Sequence, residues 1–261
     1  EGVLRDWPAG AFQTVHLAAA GAESAVMRRL LSALAERTGL APDETGGDLM
    51  LRLRPDRAGG WEALVRLSPR PLATRAWRVQ NYPGALNAAV AAAMARLLRP
   101  GPRDIFVNLC CGSGSLLIER AALGPSARLI GLDIDAAALA MSRANLEAAG
   151  GGARERIQLI QADARAAPLP DGSVTALCAD LPFGQLTGSH ASNLGLYPAV
   201  FAEAARLAAP AARMCVISHE ARLMSQTLAG SRAWQLIEER RIGLNGLHPR
   251  IYLLSRATGP G

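Results

Sequence analysis

The stretch Asn108-Leu109-Cys110-Cys111-Gly112-Ser113-Gly114-Ser115 joins an apolar run to an alanine-rich one. The apolar run predicts a strand and the second run a helix, so the two glycines stand in a strand-to-helix turn. Glycine permits a tight turn and a close ligand, and the helix N-terminus offers free N–H groups. Leu117 stands where a dinucleotide-binding fingerprint has its third glycine, which disfavours a pyrophosphate site. A purely structural turn is the alternative explanation.

Apolar runs and helical stretches alternate outward from this turn, which is typical of a mostly parallel sheet with helices on its faces. The predicted strands are Ile105–Leu109, Arg128–Leu132, Ile157–Ile160, Val174–Ala179 and Met214–Ser218, and the predicted helices are Ser115–Ala122, Ala136–Ala149 and Tyr197–Ala208. The segment Gly243–Pro249 is too short to hold a crossover helix. The flanking runs Trp234–Ile242 and Ile251–Ser255 are therefore predicted to form an antiparallel hairpin at the sheet edge.

Acidic residues follow three of the predicted strands. Asp133 lies in the stretch GLDID, Asp163 in QADA and Asp180 in DLPFG. Ligands of open α/β sheets bind at the carboxyl ends of the strands, so these acids and the glycine turn are expected to meet in one crevice. For each acid taken alone, a cap on the following helix is the alternative.

The order of these motifs resembles that of class I S-adenosylmethionine-dependent methyltransferases, which have a Rossmann-like seven-stranded sheet. Within that class, DLPFG and the later stretch Asn193-Leu194-Gly195-Leu196-Tyr197-Pro198 are similar to RNA guanine-N2 methyltransferases that carry a THUMP domain. Pro71–Arg78 is similar to the closing segment of that domain. The resemblance covers most of residues 80–256 with good specificity and residues 1–78 only loosely.

The resemblance also implies a domain organisation. Residues 1–78 are expected to form a small α+β, THUMP-like RNA-binding region, with a helix over Ala22–Thr38 and a strand pair at Asp48–Arg54 and Trp61–Leu67. Residues 79–102 are expected to be a linker containing a helix over Pro83–Leu98, and residues 103–261 the methyltransferase domain. Because the chain opens on Glu1 and not on Met, the first region is expected to be partial.

S-adenosylmethionine is the cofactor that the resemblance implies. The glycine loop would lie beside the methionine moiety of the cofactor. The GLDID acid would contact its ribose, and the QADA acid would lie next to its adenine. The implied cofactor-binding residues are Asn108, Cys110, Gly112, Gly114, Asp133, Ile134, Asp163, Ala164 and Asp180.

The implied catalytic residues are Asp180, Leu181, Pro182 and Phe183. Asp180 and the Leu181 carbonyl would accept N–H bonds from an exocyclic amine, and Phe183 would stack on a flipped base. The family's motif usually has proline where Leu181 stands, and this departure disfavours an N6-adenine DNA methylase. The sulfonium is already activated, so no metal is expected.

Three functions remain open at this stage. The first is methylation of guanine-N2 in tRNA. The second is methylation of guanine-N2 in rRNA or of an adenine amine. The third is a non-catalytic RNA-binding module on a degenerate methyltransferase fold.

The basic residues fit an RNA partner but do not prove one. The 261 residues include 28 basic and 22 acidic ones, giving a net charge of +6, and every basic residue is arginine. The segment Arg52–Arg78 holds seven of these arginines against Asp56 and Glu62. Guanidinium groups bind phosphates well, but a GC-rich genome gives the same composition.

Other residues have less specific interpretations. The four cysteines lie in apolar runs and are predicted to be reduced core residues. His190 is predicted to lie in a polar loop, either solvated or touching RNA, and His219 with Glu220 at the pocket rim. Because the sequence has no signal peptide and no membrane-length apolar stretch, a cytoplasmic protein is expected.

Overall fold

The computed structural model describes residues 2–82, 84–182, 189–244 and 246–257. The chain divides into two compact units, which we call the N-terminal unit (Glu1–Thr74) and the C-terminal unit (Arg75–Gly261). The division comes before the predicted boundary at residue 78, because the side chain of Trp77 is buried in the hydrophobic core of the C-terminal unit.

The N-terminal unit is a small α+β fold, as predicted. Its elements are α1 (Gly2–Arg5), β1 (Thr14–Ala18), α2 (Ala25–Thr38), β2 (Ala41–Pro42), β3 (Leu49–Pro55) and β4 (Trp61–Val65). The sheet order is β2-β1-β3-β4, with β1 parallel to both neighbours and β3 antiparallel to β4. The side chain of Ser24 caps α2 at Met27 N–H, and Gly39 ends the helix in the left-handed conformation. The predicted strand pair is present, whereas β1 and β2 were not predicted.

The C-terminal unit holds one seven-stranded sheet. Its elements are α3 (Ala88–Leu97), β5 (Ile105–Asn108), α4 (Ser115–Ala122), β6 (Arg128–Asp133), α5 (Ala136–Ala149), α6 (Ala153–Arg156), β7 (Ile157–Gln161), β8 (Val174–Asp180), α7 (His190–Leu207), β9 (Ala208–Ser218), α8 (Ala221–Gly230), β10 (Trp234–Arg241) and β11 (Arg250–Arg256). The strand order is β10-β11-β9-β8-β5-β6-β7. Five strands are parallel, and β11 pairs antiparallel with β9 and β10. This confirms the predicted α/β class with a terminal hairpin.

Two aliphatic clusters cover the two faces of this sheet. Phe106 and Val107 are neighbours on β5, but each is buried in a different cluster. Successive side chains of a strand point to opposite faces, so the sheet core is covered on both sides, as a parallel sheet requires. The clusters hold the strand ends in fixed positions.

Three helices begin later or earlier than predicted, and α2 begins at Ala25 rather than at Ala22, after its cap Ser24. Helix α3 begins at Ala88 rather than at Pro83, because the Asn87 side chain caps it by accepting from the N–H groups of Ala89 and Val90. It also packs into the core through Ala91 and Met94 and is not a separate linker.

Helix α7 begins at His190 rather than at Tyr197, and it includes Pro198. Ser189 and Ser192 start it with reciprocal side-chain-to-backbone bonds, a capping box that the sequence reading missed. His190 is therefore the first residue of a helix, not a loop residue as predicted. Helix α8 was not predicted either.

We predict that Gly131→Ala destabilises the protein by roughly 1 to 3 kcal/mol, the usual cost of overpacking a core. A Cβ at this position in β6 would lie 2.5 Å from Leu117 Cδ1 and 3.1 Å from Cys111 Sγ, and both side chains are buried. Denaturant unfolding measures the change.

Gly195→Ala is the matched control, because a Cβ there in α7 would meet no atom within 4 Å. This change should leave stability unchanged or raise it by up to about 1 kcal/mol. Equal stability of Gly131→Ala and the wild type would contradict the close packing of α4 on β6.

Candidate functional site

The carboxyl ends of the parallel strands form one wall of a cavity. On β5, Asn108 pairs with Gly131 of β6 and with Cys178 of β8. Asp133 and Asp180 each lie two residues beyond those partners, so they flank the glycine loop at similar heights. The cavity measures about 330 Å³.

Most of the predicted site residues line this cavity. They are Asn108, Cys110, Gly112, Asp133, Ile134, Asp163, Ala164, Asp180, Leu181 and Pro182. Phe183 lies outside the described residues. Gly114 is not among the lining residues.

The role of Gly114 is conformational. It adopts φ 87° as the residue before α4, and a Cβ there would lie 2.5 Å from Ser142 Oγ on α5. Both the positive φ and the close approach favour glycine. Gly114 thus lets the loop turn into the helix and lets the two helices pack closely.

Asp133 fixes the glycine loop. Its Oδ2 accepts the Gly112 N–H at 2.7 Å and its Oδ1 accepts the Asp135 N–H at 3.0 Å. Asp135 caps α5 by accepting the Ala137 N–H at 2.8 Å, which was the alternative weighed for each acid. Asp133 therefore holds the glycine loop, whereas Asp135 caps a helix.

Asp163 is bound by its own loop. The Arg165 side chain donates to both of its carboxylate oxygens, at 2.6 Å to Oδ2 and 3.0 Å to Oδ1, and Arg165 N–H also donates to Oδ1 at 2.9 Å. These bonds lower the pKa of Asp163. Asp163 is thus an ionised acceptor, and Arg165 stands beside it in the cavity wall.

Asp180 has a very different environment. Burial raises the pKa of this carboxyl to about 7. Burial also raises the pKa of the neighbouring Cys110 thiol to about 12, so the thiol stays protonated and is a poor nucleophile. Asp180 is therefore a group of the cavity whose charge changes near neutral pH.

The loop after Asp180 is held from behind. The Pro182 carbonyl accepts bonds from Asn193 Nδ2 at 2.8 Å and from Tyr197 Oη at 2.9 Å. Tyr197 Oη also lies 2.7 Å from Ser218 Oγ at the end of β9. Two residues of α7 therefore fix the backbone of the DLP segment.

Glu220 completes this network. Its Oε1 accepts from Asn193 Nδ2 at 3.1 Å, and its Oε2 lies 2.6 Å from His190 Nδ1. Glu220 and His190 support the DLP segment through Asn193, and neither is among the residues that line the cavity.

A family model covers most of this unit. The model described as UPF0020, RMKL-like methyltransferase domain, matches residues 75–250. The chain belongs to this methyltransferase family. The start of the match coincides with the start of the C-terminal unit at Arg75.

Curated relatives of this methyltransferase act on guanine-N2 of RNA. The tRNA (guanine(6)-N(2))-methyltransferase THUMP3 of Bos taurus is 30% identical over 185 residues, which are 67% of this chain and 37% of the relative. The U6 snRNA (guanine-N(2))-methyltransferase THUMPD2 of Bos taurus is 34% identical over 115 residues, 44% of this chain and 22% of the relative. The chain thus spans 37% and 22% of the length of these relatives.

The fold of the chain is shared with a solved structure. The crystal structure of TrmN from Thermus thermophilus matches with a TM-score of 0.75 and 24% identity, covering 98% of this chain and 78% of that chain. The match includes both units of the chain.

The structure adds residues to the cavity wall that the motifs did not predict. Tyr82 and Leu86, which precede α3, line the cavity beside the glycine loop. The buried amide of Asn145 on α5 holds this segment in place. It accepts the Gln80 N–H at 2.8 Å and donates to the carbonyls of Gln80 at 3.1 Å and Ser113 at 3.0 Å.

Asn108 and Asn193 share an unusual feature. Each lines the cavity and is almost completely buried, and the side-chain Oδ1 of each has no hydrogen-bond partner among the described residues. Buried acceptors without a partner are rare in proteins, and they indicate positions where a ligand can donate.

The arginines of Arg52–Arg78 are not a uniform basic surface. Arg66 is half-buried and donates to the carbonyls of Gly47, Asp48 and Pro69, all at 2.8 Å. In the methyltransferase domain, Arg75 pairs with Glu119 at 2.7 Å and Arg78 donates to the Leu86 carbonyl at 2.8 Å. The exposed members of the segment are Arg52, Arg54, Arg57 and Arg70.

Within the described ranges, no group of three or more His, Cys, Asp or Glu side chains is arranged to hold a metal. The four cysteines are free thiols; three are buried, and Cys110 is half-buried in the cavity wall. No described helix is both long and apolar enough to cross a membrane.

We predict that Asp180→Asn stabilises the protein, and more so as pH rises. The folded-state pKa of about 7 exceeds the value of about 4 for an unfolded aspartate. The folded wild type therefore loses stability as pH rises from about 4 to about 7, and the loss is constant above that. Because the amide cannot ionise, the gain in Tm over the wild type should grow across this window.

Thermal unfolding at several pH values measures this gain. Asp56→Asn, in the exposed turn between β3 and β4, is the matched control, because it removes the same charge where that charge is solvated. A gain in Tm from Asp180→Asn that is independent of pH would contradict the prediction.

Proposed function

We propose that this chain is an S-adenosylmethionine-dependent RNA methyltransferase that modifies the exocyclic N2 amine of a guanine in tRNA. The proposal is carried by one observation: the strand ends bring Asp180 into the same cavity as the glycine loop, Asp133 and Asp163. Membership of the RMKL-like family and the guanine-N2 names of the relatives support it.

The cavity residues fit the proposed cofactor. The unpartnered Asn108 Oδ1 can accept from an ammonium group, and the carboxylate of Asp133 keeps free lone pairs for ribose hydroxyls. Asp163 can accept from an adenine amino group if it shares its oxygens with Arg165. S-adenosylmethionine would supply an electrophilic methyl group on sulfur.

Asp180 would prepare the nucleophile. The exocyclic amine of guanine is a poor nucleophile because its lone pair is delocalised into the base. An N–H bond to the Asp180 carboxylate, with a second to the Leu181 carbonyl, would favour a pyramidal nitrogen whose lone pair faces the methyl group. Alignment of this kind supplies much of the acceleration in a reaction between two bound groups.

Asp180 can also hold the released proton, because its pKa of about 7 is close to neutral pH. Cys110 is no competing nucleophile, since its thiol stays protonated. Phe183 keeps its proposed role in stacking on the flipped base, and it lies outside the described residues.

The N-terminal unit would supply part of the RNA affinity as a THUMP-like region. The exposed guanidinium groups of Arg52, Arg57 and Arg70 support this proposal, because exposed arginine can neutralise phosphates. Arg66, Arg75 and Arg78 are used within the fold. The cytoplasm is the proposed location.

Two alternatives are distinguished by experiment. Methylation of rRNA guanine or of an adenine amine would use the same fold, and the relative that acts on U6 snRNA shows that tRNA is not the sole substrate class among the relatives. A non-catalytic RNA-binding module is disfavoured because all three acids and the glycine turn meet in one cavity.

Incubation with labelled S-adenosylmethionine and unmodified tRNA, rRNA or U6 snRNA tests the proposal. Mass spectrometry of the nucleosides should show N2-methylguanosine from tRNA. Methylated adenosine would overturn the guanine assignment, and transfer to rRNA or U6 snRNA alone would overturn the tRNA assignment. Absence of cofactor binding by calorimetry would favour the non-catalytic module.

We predict that Asp180→Ala binds S-adenosylmethionine but loses at least about 100-fold in turnover, the usual minimum for removing a group that handles a proton. Calorimetry measures the binding and labelled methyl transfer the rate. Asp171→Ala, an exposed acid at the opposite end of β8, is the control and should keep full turnover. Wild-type turnover by Asp180→Ala would exclude Asp180 from the chemistry.

We predict that kcat/KM rises with pH through about 7 and is level above, because the ionised Asp180 is the active form. RNA affinity should change little in this range, since guanidinium groups stay charged. The residual activity of Asp180→Asn should lack this acidic limb. A rate that falls as pH rises through 7 would contradict the assignment.

A further inference from the structure

The amide of Asn193 has a fixed orientation. Its Nδ2 donates to two acceptors, the Pro182 carbonyl at 2.8 Å and Glu220 Oε1 at 3.1 Å. A flip of the amide would turn its oxygen toward both of these oxygens and lose both bonds. Both of these hydrogen bonds therefore use Nδ2, and Oδ1 takes part in neither.

The acceptors that fix this amide are themselves held. Ser218 Oγ accepts the Glu220 backbone N–H at 2.9 Å, and His190 lies 2.6 Å from Glu220 Oε2. Tyr197 Oη donates to the same Pro182 carbonyl as Asn193. The network leaves little freedom for the amide to turn.

Asn193 is one of the residues that line the cavity, and its Oδ1 is the atom without a partner in the described parts of the chain. Its side chain is fully buried. An unpaired buried acceptor costs free energy that a donating ligand recovers. Among the described residues, the wall that includes Asp180 thus contains a buried acceptor with no donor beside it.

An acceptor in this position distinguishes the two purines. In guanine the ring nitrogen next to the reacting amine, N1, carries a hydrogen. In adenine the N1 atom next to the amine carries a lone pair. An amide oxygen with a fixed orientation attracts the N1–H of guanine and repels the N1 lone pair of adenine. It therefore favours guanine and also disfavours adenine.

We propose that Asn193 is a specificity-determining residue whose Oδ1 accepts the N1–H of the target guanine while Asp180 accepts an N2–H. This inference rests on the proposed guanine-N2 activity. It adds a substrate-reading role to a residue outside the glycine loop and outside the DLPFG motif.

RNA containing 2-aminopurine at the target position tests this role. The analogue keeps the amine on C2, has a lone pair in place of N1–H and lacks O6, so the readout is the change in preference between the wild type and the Asn193 variants. The wild type should prefer guanine over 2-aminopurine by about 10- to 100-fold in kcat/KM, the usual effect of losing a bond to a buried group. In Asn193→Ala the ratio should approach one, through loss of activity on guanine.

Tyr197→Phe is the matched control. It removes the other hydrogen bond to the Pro182 carbonyl without changing the acceptor on Asn193. Activity on both substrates should fall by the same factor, and the ratio should stay at the wild-type value. Asn193→Leu fills the same volume without an acceptor, and it should also bring the ratio close to one if Asn193→Ala folds poorly.

The outcomes separate this inference from the proposed function. N2-methylation of guanine by the wild type with equal use of 2-aminopurine would overturn the role of Asn193 alone. A preference for guanine that persists unchanged in both Asn193 variants would also overturn it and would assign the preference to another contact, with N1–H or with O6. Transfer to adenine instead of guanine would overturn both the role of Asn193 and the proposed guanine-N2 activity.

Discussion

The carboxylate of Asp133 joins the two loops on which the cavity depends. One oxygen binds the Gly112 N–H from the loop after β5, and the other binds the Asp135 N–H from the loop after β6. Both bonds are accepted by one side chain, so a single residue holds the two loops together. The positions of Asn108 and Cys110 follow from this connection, because they lie on the same short path between strand and helix.

The two carboxylates on either side of β5 differ because their neighbours differ. Asp163 has a guanidinium on both oxygens, which keeps it charged. The pKa of Asp180 is shifted by burial, which raises it to about 7 and so favours the neutral acid. One cavity therefore holds a permanent acceptor and an acid whose charge can change, a combination that often marks a reaction site.

Local sequence features were enough to predict the sheet and the hairpin, and most of the predicted site residues line one cavity. Strand periodicity and the acids at strand ends depend on neighbours in the chain, so Asp133, Asp163 and Asp180 could be assigned to one edge. Asn193, Asn145 and Tyr82 could not, because their positions depend on contacts between distant segments. The start of α7 was missed because Gly195 and Pro198 are helix-disfavouring residues that packing overrides. A count of charges likewise could not show that Arg66, Arg75 and Arg78 make polar contacts within the fold.

The double hydrogen bond on the Pro182 carbonyl has a thermodynamic consequence. Because α7 and β9 already hold this peptide through Asn193, Tyr197 and Ser218, the wall that would face the base is preorganised during folding. A base that enters need not order this backbone, so less conformational entropy is lost when it binds. The affinity of the cavity for a flipped base would then depend mainly on how easily that base leaves its stack in the RNA.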